Sequence, residues 1–149
     1  SGVTGAGNTK AWTLEGAIKR GANAASTAIV GSVTTTIVAA DAGASTWTVT
    51  ATADTTKFKI FGLIYNGTLT GNAARLVFRY DETNQTLTFT GTVGATTNAS
   101  TNQIDLGWYS TGNSEYFAGD IAEVVYFSRT LNSGEVAGVE DYLSNKWAI

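Results

Sequence analysis

Asp120-Ile-Ala-Glu-Val-Val-Tyr-Phe127, then Ser128-Arg-Thr-Leu-Asn-Ser-Gly-Glu135, then Val136 to Trp147 is the stretch on which the fold turns. The first eight residues are rich in β-branched and aromatic side chains and have the length of one strand. Asn132 or Ser133 can cap a helix, and Glu135 stands three residues after Asn132 in the spacing of a capping box. Val136, Val139, Leu143 and Trp147 follow at offsets of 0, 3, 7 and 11, which puts them on one helical face. Glu140 and Asp141 are expected to point elsewhere. The spacing thus predicts one amphipathic helix that closes the chain and covers an end or edge of whatever precedes it.

What precedes it reads as strand after strand. Alternation at period two runs through Trp47 to Ala53, Phe58 to Tyr65, Arg75 to Tyr80 and Gln85 to Thr90. Further candidates are Trp12 to Ile18, Ala28 to Val33, Thr36 to Ala40 and Ile104 to Tyr109. Asn66-Gly67, Gly71-Asn72, Asp81 to Asn84 and Thr111-Gly-Asn113 punctuate them as turn formers. Thr90 to Thr101 is low in complexity and reads as a loop with a weak strand. Short strands with a turn about every ten residues imply an all-β antiparallel sandwich of jelly-roll type, with one short C-terminal α-helix. Residues 1–10 form an N-terminal arm and residues 11–149 one domain, a length that buries a core without staples.

Composition narrows the chemistry. The 149 residues include no Cys, His, Pro or Met, which removes thiolate nucleophiles, the commonest metal ligand and the usual general base. Charged residues make up 14%, well below the roughly 25% of an average chain. Nine Lys and Arg against twelve Asp and Glu give a net charge of −3, the wrong balance for a nucleic-acid surface. Thr, Gly, Ser and Asn carry the polarity instead. The longest apolar candidate, Ala24 to Ala40, is broken by Ser, Gly and three consecutive Thr, so no membrane insertion is expected. Ser1 suits removal of an initiator Met, and processing from a longer precursor fits equally well. The sequons at Asn66, Asn84 and Asn98 are expected by chance in so Thr- and Asn-rich a chain.

At the C-terminal end a resemblance adds to this reading. Tyr116-Phe-Ala-Gly-Asp-Ile-Ala-Glu-Val-Val-Tyr-Phe-Ser-Arg-Thr-Leu-Asn-Ser-Gly-Glu135 resembles the closing motif of concanavalin A-like, laminin-G-like jelly rolls. Val139-Glu-Asp-Tyr-Leu-Ser-Asn-Lys-Trp147 is similar to the ending of many bacterial and phage members. Phe61 to Thr68 looks like the family's central strand with its Asn-Gly turn, and Ile104-Asp-Leu-Gly107 like the strand before the closing motif. The likeness covers roughly Phe58 to Ile149. Upstream, the family's first strands look short or missing, which would leave a sheet edge open. The resemblance implies a fold that hosts lectins, glycosidases, adhesion modules and virion proteins.

Each of those chemistries makes a demand on residues. Glucanases of this fold use a Glu-x-Asp-x-x-Glu strand whose two Glu stand about 5–5.5 Å apart. Here Asp120 and Glu123 keep the spacing but Ala118 replaces the first Glu, so no catalytic residue is expected. Glu115 and Glu123 on facing strands are the alternative carboxylate pair, but Glu123 is expected instead to bond a nearby backbone turn or Arg129. No cofactor is expected. Calcium is the alternative, and Asp81-Glu82 with Asn84 is the local cluster that would bear on it. Carbohydrate binding needs an aromatic platform beside polar side chains, and Trp108, Tyr109, Asn113 and Tyr116 are the candidate set. Trp47 is a second candidate platform, although Trp12, Trp47 and Trp147 each sit in periodic segments and read as core.

Two functions fit these expectations. One is a non-enzymatic structural or interaction protein, most specifically a phage virion accessory such as a capsid decoration protein. It would self-associate or bind a capsid or surface lattice through Ser1, Val3, Asn8, Lys10 and edge strands within Ala22 to Ala40. The other is a carbohydrate-binding module of an extracellular bacterial protein.

Overall fold

The computed structural model describes residues 11–20, 46–48, 57–96 and 119–149, with the backbone alone at 18–20 and 46–48. Chain order is β1 (Ala11–Arg20), β2 (Thr46–Thr48), β3 (Lys59–Asn66), a one-turn helix α1 (Asn72–Arg75), β4 (Leu76–Tyr80), β5 (Thr83–Gln85), β6 (Thr88–Thr90), β7 (Gly119–Phe127) and α2 (Ser133–Trp147). The described strands form an antiparallel five-stranded sheet ordered β5-β4-β3-β1-β7 and a two-stranded ribbon of β2 and β6. The all-β reading with a terminal helix therefore holds. The strand candidates at Ala28–Val33, Thr36–Ala40 and Ile104–Tyr109, and the rest of Trp47–Ala53, lie outside the described residues.

Register explains how the sheet separates two layers. Side chains alternate across a strand, so Trp12 and Leu14 share a face with Phe61, Leu63 and Tyr65 and with Leu76 and Phe78. These residues and Val93 form one buried cluster, against which Leu87, Phe89, Ile121, Val124 and Tyr126 pack. Thr13, Glu15 and Ala17 look the other way, together with Ile60, Gly62 and Arg79. Helix α2 covers this second face, bringing Val136 and Leu143 down at 3% and 0% exposure. Fully burying two such side chains contributes about 1.5–3 kcal/mol each.

Several local expectations change. The strand expected at Trp12–Ile18 runs longer, over Ala11–Arg20, and sits inside the sheet between β3 and β7. Helix α2 lies over the inner strands β1 and β3 rather than over an end or edge. Gln85–Thr90 is not one strand: the hairpin Tyr80-Asp81-Glu82-Thr83 pairs β4 with β5, and β6 then leaves to pair with β2. Asp81 and Glu82 both take positive φ, 51° and 64°, as a two-residue hairpin turn of the favoured hand requires. One turn of helix at Asn72–Arg75 escapes periodicity because it is too short to show any.

Two devices hold the connections. The Asn72 side chain donates to the Gly91 carbonyl at 2.8 Å and accepts from the Val93 amide at 2.9 Å, while Arg75 donates to the carbonyls of Leu69 and Val93. At the other end Leu131 N–H donates to Thr13 Oγ1 at 3.0 Å, and Thr130 Oγ1 to the Tyr65 carbonyl at 3.2 Å. The link into α2 is thereby pinned to β1 and β3.

Candidate functional site

Under α2 the sheet carries a row of charge where a row of apolar side chains is the usual solution. Glu15 of β1 stands opposite Gly62 of β3, which stands opposite Arg79 of β4. Gly62 lies beside the Glu15 carboxyl: a Cβ there would be in ordinary contact, 3.4 Å from the Glu15 carboxyl carbon. Helix α2 adds Glu140 from above, and Arg79 grips it with both arms of its fork, Nε to Oε1 and Nη2 to Oε2, each at 2.7 Å. The remaining arm donates to Asn84 Oδ1 at 2.7 Å, and Nη2 also reaches the Glu82 carbonyl.

Burial sets the electrostatics of this cluster. Glu140 is 2% exposed and Glu15 fully buried. Among the described residues neither carboxylate oxygen of Glu15 has a hydrogen-bond partner. Desolvation, reinforced by the neighbouring Glu140 and opposed by Arg79, pushes the Glu15 carboxyl up to about 8. Glu15 is thus largely a neutral acid at pH 7. Arg79 is held more firmly protonated, chiefly by its hydrogen bonds to Glu140. The expectation that Glu140 points away from the apolar face is corrected: it is the polar member of the buried stripe Val136, Glu140 and Leu143. Arg79 makes that placement tolerable, because a buried charge needs a partner.

A second cluster fastens the far end of α2. Glu123 on β7 accepts from Tyr142 Oη at 3.0 Å and from Trp147 Nε1 at 2.9 Å, and pairs with Lys146 at 3.1 Å. These donors, the Trp147 indole first, hold its carboxyl below the usual range. Lys146 lies over the Tyr142 and Trp147 rings, and Trp147 packs against Phe58 with ring centroids 6.4 Å apart. Glu123 therefore does not bond Arg129 as expected. Arg129 instead forks onto Glu135 at 2.8 Å on both oxygens, and Glu135 closes the capping box with Asn132. The Arg129 bonds are the main cause that draws the Glu135 carboxyl down to about 2.

The arrangement can bind its own helix, and it seals what it binds. A solute reaching Glu15 would have to lift α2. Asp81, expected in a local acidic cluster, accepts from Lys59 at 2.8 Å, and among the described residues no group of three or more Asp or Glu is placed to hold a metal ion. The carbohydrate candidates Trp108, Tyr109, Asn113 and Tyr116, the assembly candidates Ser1, Val3, Asn8 and Lys10, and Glu115 all lie outside the described residues. Trp12 is core, as expected, at 8% exposure and 5.8 Å from the Tyr65 ring. Trp147 is only half-buried, held by its indole N–H at the helix end.

Glu15 and Arg79 were not singled out from the sequence. The available signal is alternation: in Trp12-Thr-Leu-Glu-Gly-Ala17 the carboxylate falls on the same side as Thr13 and Ala17, where a face covered by an apolar helix stripe should be neutral. No family model, curated protein or solved structure matches this chain. Among the described residues no helix is long and apolar enough to cross a membrane.

Proposed function

We propose that the chain is a non-enzymatic structural or interaction module built as a jelly-roll sandwich, and that it serves as an accessory protein on a virion or comparable surface lattice. One observation carries the reading. The carboxylates Glu123, Glu135 and Glu140 are each spent on intramolecular bonds that fasten α2 to the described sheet and to the turn before it, which supports reading this part of the chain as a fixed brick. A low-charge Thr/Gly/Asn-rich chain supports it further, since neutral surfaces pack on a lattice without burying unpaired charge. The closing-motif resemblance to phage members points the same way.

The test is the mass of the species in solution, by light scattering over a concentration series, with and without a panel of polysaccharides. A trimer or larger assembly indifferent to sugar is the expected result. A monomer that binds one glycan, and loses it on Trp108→Ala and Tyr116→Ala without unfolding, would replace this reading by the carbohydrate-binding module.

A further inference from the structure

The helix–sheet interface holds two carboxylates and one guanidinium, and the guanidinium turns its fork to one of them. Arg79 gives Nε and Nη2 to Glu140 and Nη1 to Asn84, with Nη2 shared by the Glu82 carbonyl. Four of its five N–H donors are used in this way and none is given to Glu15, whose two oxygens are buried and unpartnered among the described residues. Among the described side chains the other faces of its surroundings offer no second cation. Gly62 on β3 has no side chain, and Val125 is its register partner on β7. Farther along β7, Glu123 is itself held by Tyr142, Lys146 and Trp147. Lys59 is paired with Asp81 at the exposed margin.

We propose that Glu15 is a proton latch for helix α2: the helix seats on the sheet with Glu15 in its neutral acid form, so docking takes up a proton and undocking releases it. Seating one guanidinium with one carboxylate and one neutral acid leaves the interface uncharged, whereas an ionised Glu15 would leave a buried negative charge with no donor. The stabilisation is greatest where both states hold the proton. It falls as pH rises from the ordinary carboxyl value of 4.5, which Glu15 regains when exposed, to about 8, where the docked state also ionises. Above that it levels off. The lowered carboxyls of Glu123 and Glu135 work in the opposite direction and only at acid pH, below the window in question.

Amide hydrogen exchange of the α2 residues in the full chain, corrected for the intrinsic pH dependence of exchange and run from pH 5 to 9.5, reads the latch. The opening constant of α2 is expected to rise roughly tenfold per pH unit between about 5 and 8 and then to flatten, while Glu15→Gln stays within about twofold across the range. An E15Q profile parallel to the wild type, or a flat wild-type profile, overturns the proposal. A ¹³C titration of the Glu15 side-chain carboxyl in the unmutated protein decides independently of whether E15Q folds. A midpoint near 8 supports the latch, and one in the ordinary range near 4–5 overturns it.

Discussion

Removing Arg79 should be among the most damaging single substitutions in the domain, and removing its partner as well should restore part of the loss. Arg79→Met deletes both short bonds to Glu140, a side chain only 3% exposed, and strips the buried pair of its one cation. Breaking a buried pair from one side costs about 3–5 kcal/mol, because the charge left behind has lost its water and gained nothing. The double variant Arg79→Met/Glu140→Leu leaves no orphan charge and fills the same volume with apolar atoms. Such replacements are often neutral or stabilising, so it should be more stable than either single variant. Urea unfolding at pH 7, followed by far-UV circular dichroism, supplies the four corners of the cycle. A single-variant loss below about 1 kcal/mol would refute the buried-pair account. So would additive losses in the double variant, since they would mean that Arg79 and Glu140 act independently.

Three further outcomes follow from the packing. Leu143→Ala, at a fully buried position beneath α2, should cost about 2–5 kcal/mol in the same urea assay. Asn132→Ala removes the side-chain acceptor of the Glu135 amide and should cost about 1 kcal/mol, visible as faster amide exchange in the first turn of α2 with the sheet unchanged. Gly16→Ala should destabilise by about 1–3 kcal/mol: its Cβ would meet the Glu123 carbonyl oxygen at 2.5 Å and the Phe61 ring at 2.7 Å. A thermal melt of that variant matching the wild type would show that β1 and β7 can separate there without loss.

Gly16 also shows how a local irregularity serves the helix side. Between β1 and β7 the register shifts, Ala17 facing Glu123 and Ile18 facing Ile121, so β7 carries one extra residue. Such a bulge bends the strand and changes where neighbouring side chains aim. The bulge adjoins Glu123, whose carboxylate meets the end of α2. No sequence pattern announces it, since a bulge is a property of the pair and not of either strand.

The terminal helix was legible in the chain because all of its determinants are local. Asn132 and Glu135 cap a run whose period survives any environment, and the helix duly spans Ser133–Trp147 with both capping-box bonds made. The β-rich character and the strands at Trp12–Ile18, Phe58–Tyr65, Arg75–Tyr80 and Asp120–Phe127 were legible for the same reason. They stand within a few residues of Ala11–Arg20, Lys59–Asn66, Leu76–Tyr80 and Gly119–Phe127. Tertiary structure alone decided which face α2 covers and what happens to the charges there. Glu140 falls on the buried stripe by helical period, four residues after Val136 and three before Leu143, and a charge is tolerated there because Arg79, 61 residues away in sequence, comes to meet it. Glu15 is an ordinary strand glutamate by sequence and a buried acid pushed up to about 8 by position, because burial strips its water and Arg79 spends its fork on Glu140. Local bonds are written within a few residues of one another, whereas the ionisation of a side chain depends on every element that excludes water from it.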